Sequence, residues 1–202
     1  MYAQFRWIIP LLTLVLIACK EDASRRNRSA GRAREPKARA WVKREALERA
    51  SDEQLENLVG TCLTHALPDN ADREYAVVRT WSPGKRMVYA TSALEGEVNN
   101  GGFLQFFWNT RGECSQMALE GLKLIGAERH ADLLQRAIVI YEQDKRLQRR
   151  SGDKLDAEAF SNAERDSRLN PLDDEFYNLT EQLAPLRVKY IRSHLDEFAT
   201  PS

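Results

Sequence analysis

The three residues Asn100-Gly101-Gly102 constrain this chain more than any others. They fall inside a stretch that otherwise favours helix, and Asn and Gly are the residues that most readily take the left-handed conformation that stops one. Directly after them Phe103, Phe106 and Phe107 recur at i, i+3 and i+4. A second helix must therefore start at once and turn an aromatic face to a core. Residues 95–109 thus predict helix, sharp turn, helix. Glu97, Asn99, Asn100, Gln105 and Asn109 stand beside the backbone groups that such a turn leaves without partners, and they are candidates for stapling it or for meeting another molecule.

The rest of the chain is consistent with helices only. Ser51 with Gln54 three residues on makes a capping box, and Leu55, Leu58, Val59, Cys62, Leu63 and Ala66 follow as an apolar stripe. Trp41 is expected to anchor a short helix over 41–50. Residues 69–81 fit either a short helix or an irregular segment. Ser82-Pro83 opens the helix whose buried side is Met87, Thr91, Leu94 and Val98. Ser115 is expected to cap the next helix, Gly126 to end it, and residues 128–147 to form another. A polar loop over 148–156 and a weak helix over 157–167 come next. Pro185 must kink or divide the closing segment, which buries Val188, Ile191, Leu195 and Phe198. No useful β-alternation occurs. With 202 residues and 43% hydrophobic content, the expectation is one all-α, compact multi-helix orthogonal bundle.

The N-terminus reads as an export signal. Arg6 precedes an apolar run over 7–18 that is interrupted only by Pro10 and Thr13. As a helix it would span roughly 18 Å, short of the roughly 30 Å hydrocarbon core, which disfavours a permanent membrane span. Leu16-Ile17-Ala18-Cys19 is similar to a bacterial lipobox, so residues 1–18 are expected to be removed and Cys19 acylated. Several acyl chains give a stable anchor where one is marginal. Lys20 after the cysteine resembles lipoproteins passed on to the outer membrane. An ordinary signal peptide or an uncleaved anchor is the alternative.

Net charge is zero, but residues 20–49 hold 11 Lys+Arg against 5 Asp+Glu, while residues 50–202 hold 18 against 25. A basic segment therefore precedes a mildly acidic domain. Residues 19–40 lack large apolar side chains and are expected to be a disordered, flexible tether close to the membrane. Anionic lipid is the partner this basic run suggests, ahead of nucleic acid.

Glu-Val-Asn-Asn-Gly-Gly-Phe-Leu-Gln-Phe-Phe-Trp-Asn over 97–109, with Leu172-Asp173-Asp174-Glu175-Phe176-Tyr177 and Lys189-Tyr190-Ile191-Arg192, resembles the DNA-mimic-protein-like family. The likeness covers roughly residues 50–198, within a domain spanning 41–202. It implies an all-helical domain. The family's named member is an acidic dimer that occupies the DNA-binding face of a transcription factor, and no enzymatic residues come with it.

The candidate sites are few. Cys62 and Cys114 either pair as a disulfide or serve as two small buried hydrophobes. Cys62-x-x-His65 supplies two zinc ligands but no second pair follows, so no metal or other cofactor is expected. His130 and His194 read as isolated groups near helix ends. Glu95 and Glu97 lie two apart on one helix and point about 160–200° away from each other, which makes a poor acid/base pair. The expectation is a lipid-anchored envelope protein with a non-catalytic protein-binding domain, a second copy of the chain, as a homodimer, being one candidate partner, with its contact surface near residues 99–109. The alternatives are a cytoplasmic DNA-mimic regulator and an envelope polymer hydrolase using Glu97.

Overall fold

The structure is a computed structural model that describes residues 41–151 and 167–200. The export signal, Cys19, the basic tether and residues 157–166 of the weak helix expected over 157–167 lie outside the described residues. The described chain is all-α. It runs through α1 (Arg44–Arg49), α2 (Asp52–Ala66), a 3-10 turn (Ala71–Arg73), α3 (Glu74–Val78) and α4 (Pro83–Thr110). Then come α5 (Ser115–Leu124), α6 (Glu128–Ser151), α7 (Asn170–Tyr177), α8 (Leu183–Ser193) and α9 (Leu195–Phe198). The β content of the described residues is one parallel bridge, Val42 to Ala199.

The start signals act as their chemistry dictates. Gln54 N–H donates to Ser51 Oγ at 3.3 Å while Ser51 N–H donates to Gln54 Oε1 at 2.9 Å, closing the capping box of α2. Ser82 caps α4, with Pro83 in its first turn. Glu197 from α9 adds a second cap. It accepts from Gly84 N–H at 2.8 Å and from Tyr190 Oη at 2.9 Å, which places a carboxylate at the positive end of the longest helix.

Other boundaries depart from the sequence expectation. Ser115 is the first residue of α5 rather than its cap, and Cys114 stands in the capping position without a side-chain hydrogen bond. Helix α6 continues to Ser151, through the start of the expected polar loop. Pro185 falls in the first turn of α8, where a missing N–H costs nothing, so the division comes before it, over residues 178–182. The closing helix divides again at His194.

Two apolar clusters make the core. One gathers Phe103, Phe106 and Phe107 with Leu94, Leu122, Leu134 and Phe176. The other gathers Leu47, Leu55, Met87, Ile191 and Phe198. Trp81, Tyr89 and Ile125 pack against both and join them. Helix α4 contributes to each cluster, its first half mainly through Met87 and Val88 to one and its second half through the phenylalanines to the other. It is the axle of the domain. Trp41 anchors α1 as expected, with Lys85 Nζ 3.5 Å over its ring.

Candidate functional site

Helix α4 is broken where the sequence says it must be. Gly101 and Gly102 leave helical geometry, and Gly102 takes φ 75° and ψ −179°, a region closed to residues with a Cβ. A break in a helix frees carbonyls behind it and amides ahead of it, and buried groups of this kind must find partners. Here α7 supplies them. Tyr177 Oη donates to Val98 C=O at 2.7 Å. In an unbroken helix that carbonyl would accept from the amide four residues on, so the phenol hydroxyl meets the helical ladder at the rung where the break falls. One turn earlier on α7, Asp173 Oδ1 accepts from Phe103 N–H at 2.7 Å. Asp173 is therefore a cap for the second half of α4, delivered from 70 residues away.

The two segments singled out by the sequence are thus two halves of one device. Phe176, between Asp173 and Tyr177, is buried edge-on against Phe103 at 5.8 Å and against His130 at 5.2 Å. Burial pushes the Asp173 carboxyl above the usual carboxylate range, against the pull of its bond from Phe103 N–H. Burial also raises Tyr177, helped by the charges of Asp173 and Asp174.

Glu97 spans the break by a second route. Its Oε2 accepts from Gln105 Nε2 at 2.7 Å and from Asn109 Nδ2 at 2.8 Å. Glu97, Gln105 and Asn109 staple the turn, as the sequence suggested. Asn99 and Asn100 do not: both are exposed. They follow Val98, whose carbonyl accepts from Tyr177, and Tyr177 is itself 51% exposed although its hydroxyl is engaged.

Glu95, as expected, points elsewhere. Arg187 of α8 is 3% exposed and binds two carboxylates, Glu56 of α2 and Glu95 of α4, each at 2.6 Å. Its Nη1 has no protein partner among the described residues. His130 is also no free helix-end imidazole. It is buried and its Nδ1 lies 3.1 Å from Glu181 Oε2. His194 is exposed and stacks on Tyr190 at 4.0 Å.

Both cysteines are free thiols, so the structure does not make the pairing that the sequence left open. The reason is placement. Cys62 lies on the outer flank of α2 near Val42 and Lys85, whereas Cys114 is fully buried in the phenylalanine cluster. Burial pushes the Cys114 thiol far up and that of Cys62 up as well. Nearby, Tyr89 Oη donates to Glu74, and burial raises both Tyr75 and Tyr89. No group of three His, Cys, Asp or Glu among the described residues is placed to hold a metal ion. No described helix is long and apolar enough to cross a membrane.

The architecture is that of an all-helical domain organised on a broken central helix clasped by a later one. The chain belongs to the DMP19-like protein family, whose model matches residues 79–194. The match takes in all of α4 to α8, and so both segments of the clasp. No curated protein matches the chain.

Proposed function

We propose that this chain is a bacterial envelope lipoprotein, anchored through acylated Cys19, whose helical domain is a non-catalytic protein-binding module. One observation carries the binding-module reading: the polar side chains of the recognisable segments are consumed internally. Glu97 is spent on Gln105 and Asn109, Asp173 on Phe103 N–H and the Tyr177 hydroxyl on Val98. What the break turns outward is Asn99, Asn100, Asp174 and the ring of Tyr177. Such a surface of amides and one rigid aromatic suits contact with another protein, because Tyr offers large area at low entropic cost. No step of acid/base chemistry is assigned to Glu97, whose carboxylate is already an acceptor twice over.

Two experiments test the reading. Radiolabelled palmitate should enter the membrane-bound wild-type chain and be lost in Cys19→Ala. An unlabelled, soluble cytoplasmic protein would overturn the anchor and bring back the DNA-mimic regulator. A photo-crosslinking residue at Asn100 should give one discrete adduct in intact cells, and the same residue at exposed Glu53 on α2 should not. Equal smears from both positions would remove the docking face.

A further inference from the structure

We infer that α7 is a clasp that opens and closes as a unit, exposing the break in α4 without unfolding of the domain. Three observations point to it. First, α7 has eight residues and buries only two of them, Leu172 and Phe176. Pro171, Asp174, Glu175 and Tyr177 are all exposed. An element with so little burial opens more easily than the core it covers.

Second, its contacts are arranged to fail together. Asp173, Phe176 and Tyr177 are spaced i, i+3 and i+4 and share one face. Lifting that face breaks the bonds to Phe103 N–H and Val98 C=O. It also withdraws Phe176 from Phe103 and His130. The outer tie, Arg136 to Glu175 at 2.7 Å through both guanidinium nitrogens, is half-exposed on each side, and exposed pairs add little.

Third, the rest of α4 stays where it is when the clasp lifts. Phe106 and Phe107 are fully buried and Phe107 stacks on Tyr141 of α6 at 4.3 Å, so the second half of α4 keeps core contacts that do not involve α7. Opening therefore frees the Val98 carbonyl and the Phe103 amide from their α7 partners, next to an uncovered aromatic edge. That state differs from the closed one both in hydrogen-bonding capacity and in apolar surface. This opening needs no partner.

The test is native-state hydrogen exchange of the full chain, read residue by residue by NMR in rising sub-denaturing urea. The Phe103 amide is expected to exchange together with those of Phe176, Tyr177 and Asn178. That shared opening should be distinctly easier than the one that releases the Phe106 and Leu122 amides. Tyr177→Phe keeps the ring but removes the bond to Val98 C=O that helps hold the clasp shut, so it should speed Phe103 exchange by roughly three- to tenfold, the factor one net hydrogen bond represents. Exchange of Phe103 only with the core would overturn the clasp. So would its exchange well ahead of the α7 amides, or an unchanged Phe103 rate in Tyr177→Phe.

Discussion

Gly102→Ala is the sharpest single perturbation of this fold. Its backbone lies at φ 75° and ψ −179°, and holding a residue with a Cβ in such a region costs about 1–3 kcal/mol. The methyl would also sit 2.7 Å from the Asp173 carboxyl carbon and closer still to Oδ2. Asp173 would have to give way and drop its bond to Phe103 N–H. A hydrogen bond to a charged group contributes about 1.5–3 kcal/mol. The two effects together come to about 2.5–6 kcal/mol, a large share of the roughly 5–15 kcal/mol that holds a domain folded. Urea denaturation followed by circular dichroism measures it. Gly96→Ala is the control: it lies on the first half of the same helix with nothing within 4 Å of an added Cβ, and it should stabilise by about 0.5–1 kcal/mol. In an Asp173→Ala background the overlap is gone, so Gly102→Ala should cost only the backbone strain. A Gly102→Ala loss below about 1 kcal/mol, or a loss of equal size in the Asp173→Ala background, would refute the reasoning.

Other outcomes follow from the same contacts. Asp173→Asn retains an acceptor for Phe103 N–H and should denature near the wild type in urea, whereas Asp173→Ala should lose about 1–3 kcal/mol. Arg187→Met strands Glu56 and Glu95 in a part-buried setting and should cost about 3–5 kcal/mol. Adding Glu56→Gln and Glu95→Gln should recover much of that loss, and urea midpoints would show it. Burial acts upward on the Glu197 carboxyl, but hydrogen bonds from Ser82, Gly84 and Tyr190 outweigh it and hold the group below its ordinary 4.5. The stability it adds is therefore present above about that pH and is lost as pH falls through the lower folded value. The stability gap between wild type and Glu197→Gln should be widest near neutrality and close in acid; a constant gap would contradict the assignment. In the Cys19→Ala chain an alkylating reagent should modify Cys62 in the folded protein and reach Cys114 only on unfolding, with intact mass showing two free thiols.

The break in α4 was legible because glycine next to asparagine is a local signal. What clasps it was not. Asp173 and Tyr177 act across 70 or more residues, and no periodicity within one helix announces a partner in another. A trace did exist: both sit on the same i, i+3, i+4 face as Phe176, polar groups on a side that had to be buried. Arg187 left the same kind of trace, standing on the stripe Leu183, Val188, Ile191, all buried. So did His130, in register with Leu133, Leu134 and Ala137. A charged or imidazole side chain on an apolar stripe implies a waiting counter-group, and here each has one. Asn99 and Asn100 are the opposite case. Their residue types suit turn stapling, but both are exposed at the end of the first half of α4. Ser115 suits a cap by residue type, but the chain turns through Arg111 and Gly112, both at positive φ, and Ser115 is already the first residue of α5.

The parallel bridge between Val42 and Ala199, reinforced by Thr200 N–H to Val42 C=O at 3.0 Å, brings the two flanks of the domain side by side. Residues 41 and 200 of the described domain come close together, as in a nearly closed ring. Neighbouring strands lie about 5 Å apart, so a linker of a few residues could join 200 to 41. The ring could then be reopened at the exposed turn over residues 69–70 between α2 and the 3-10 segment, with every helix contact kept. The order in which the helices are strung would then be a matter of synthesis rather than of architecture.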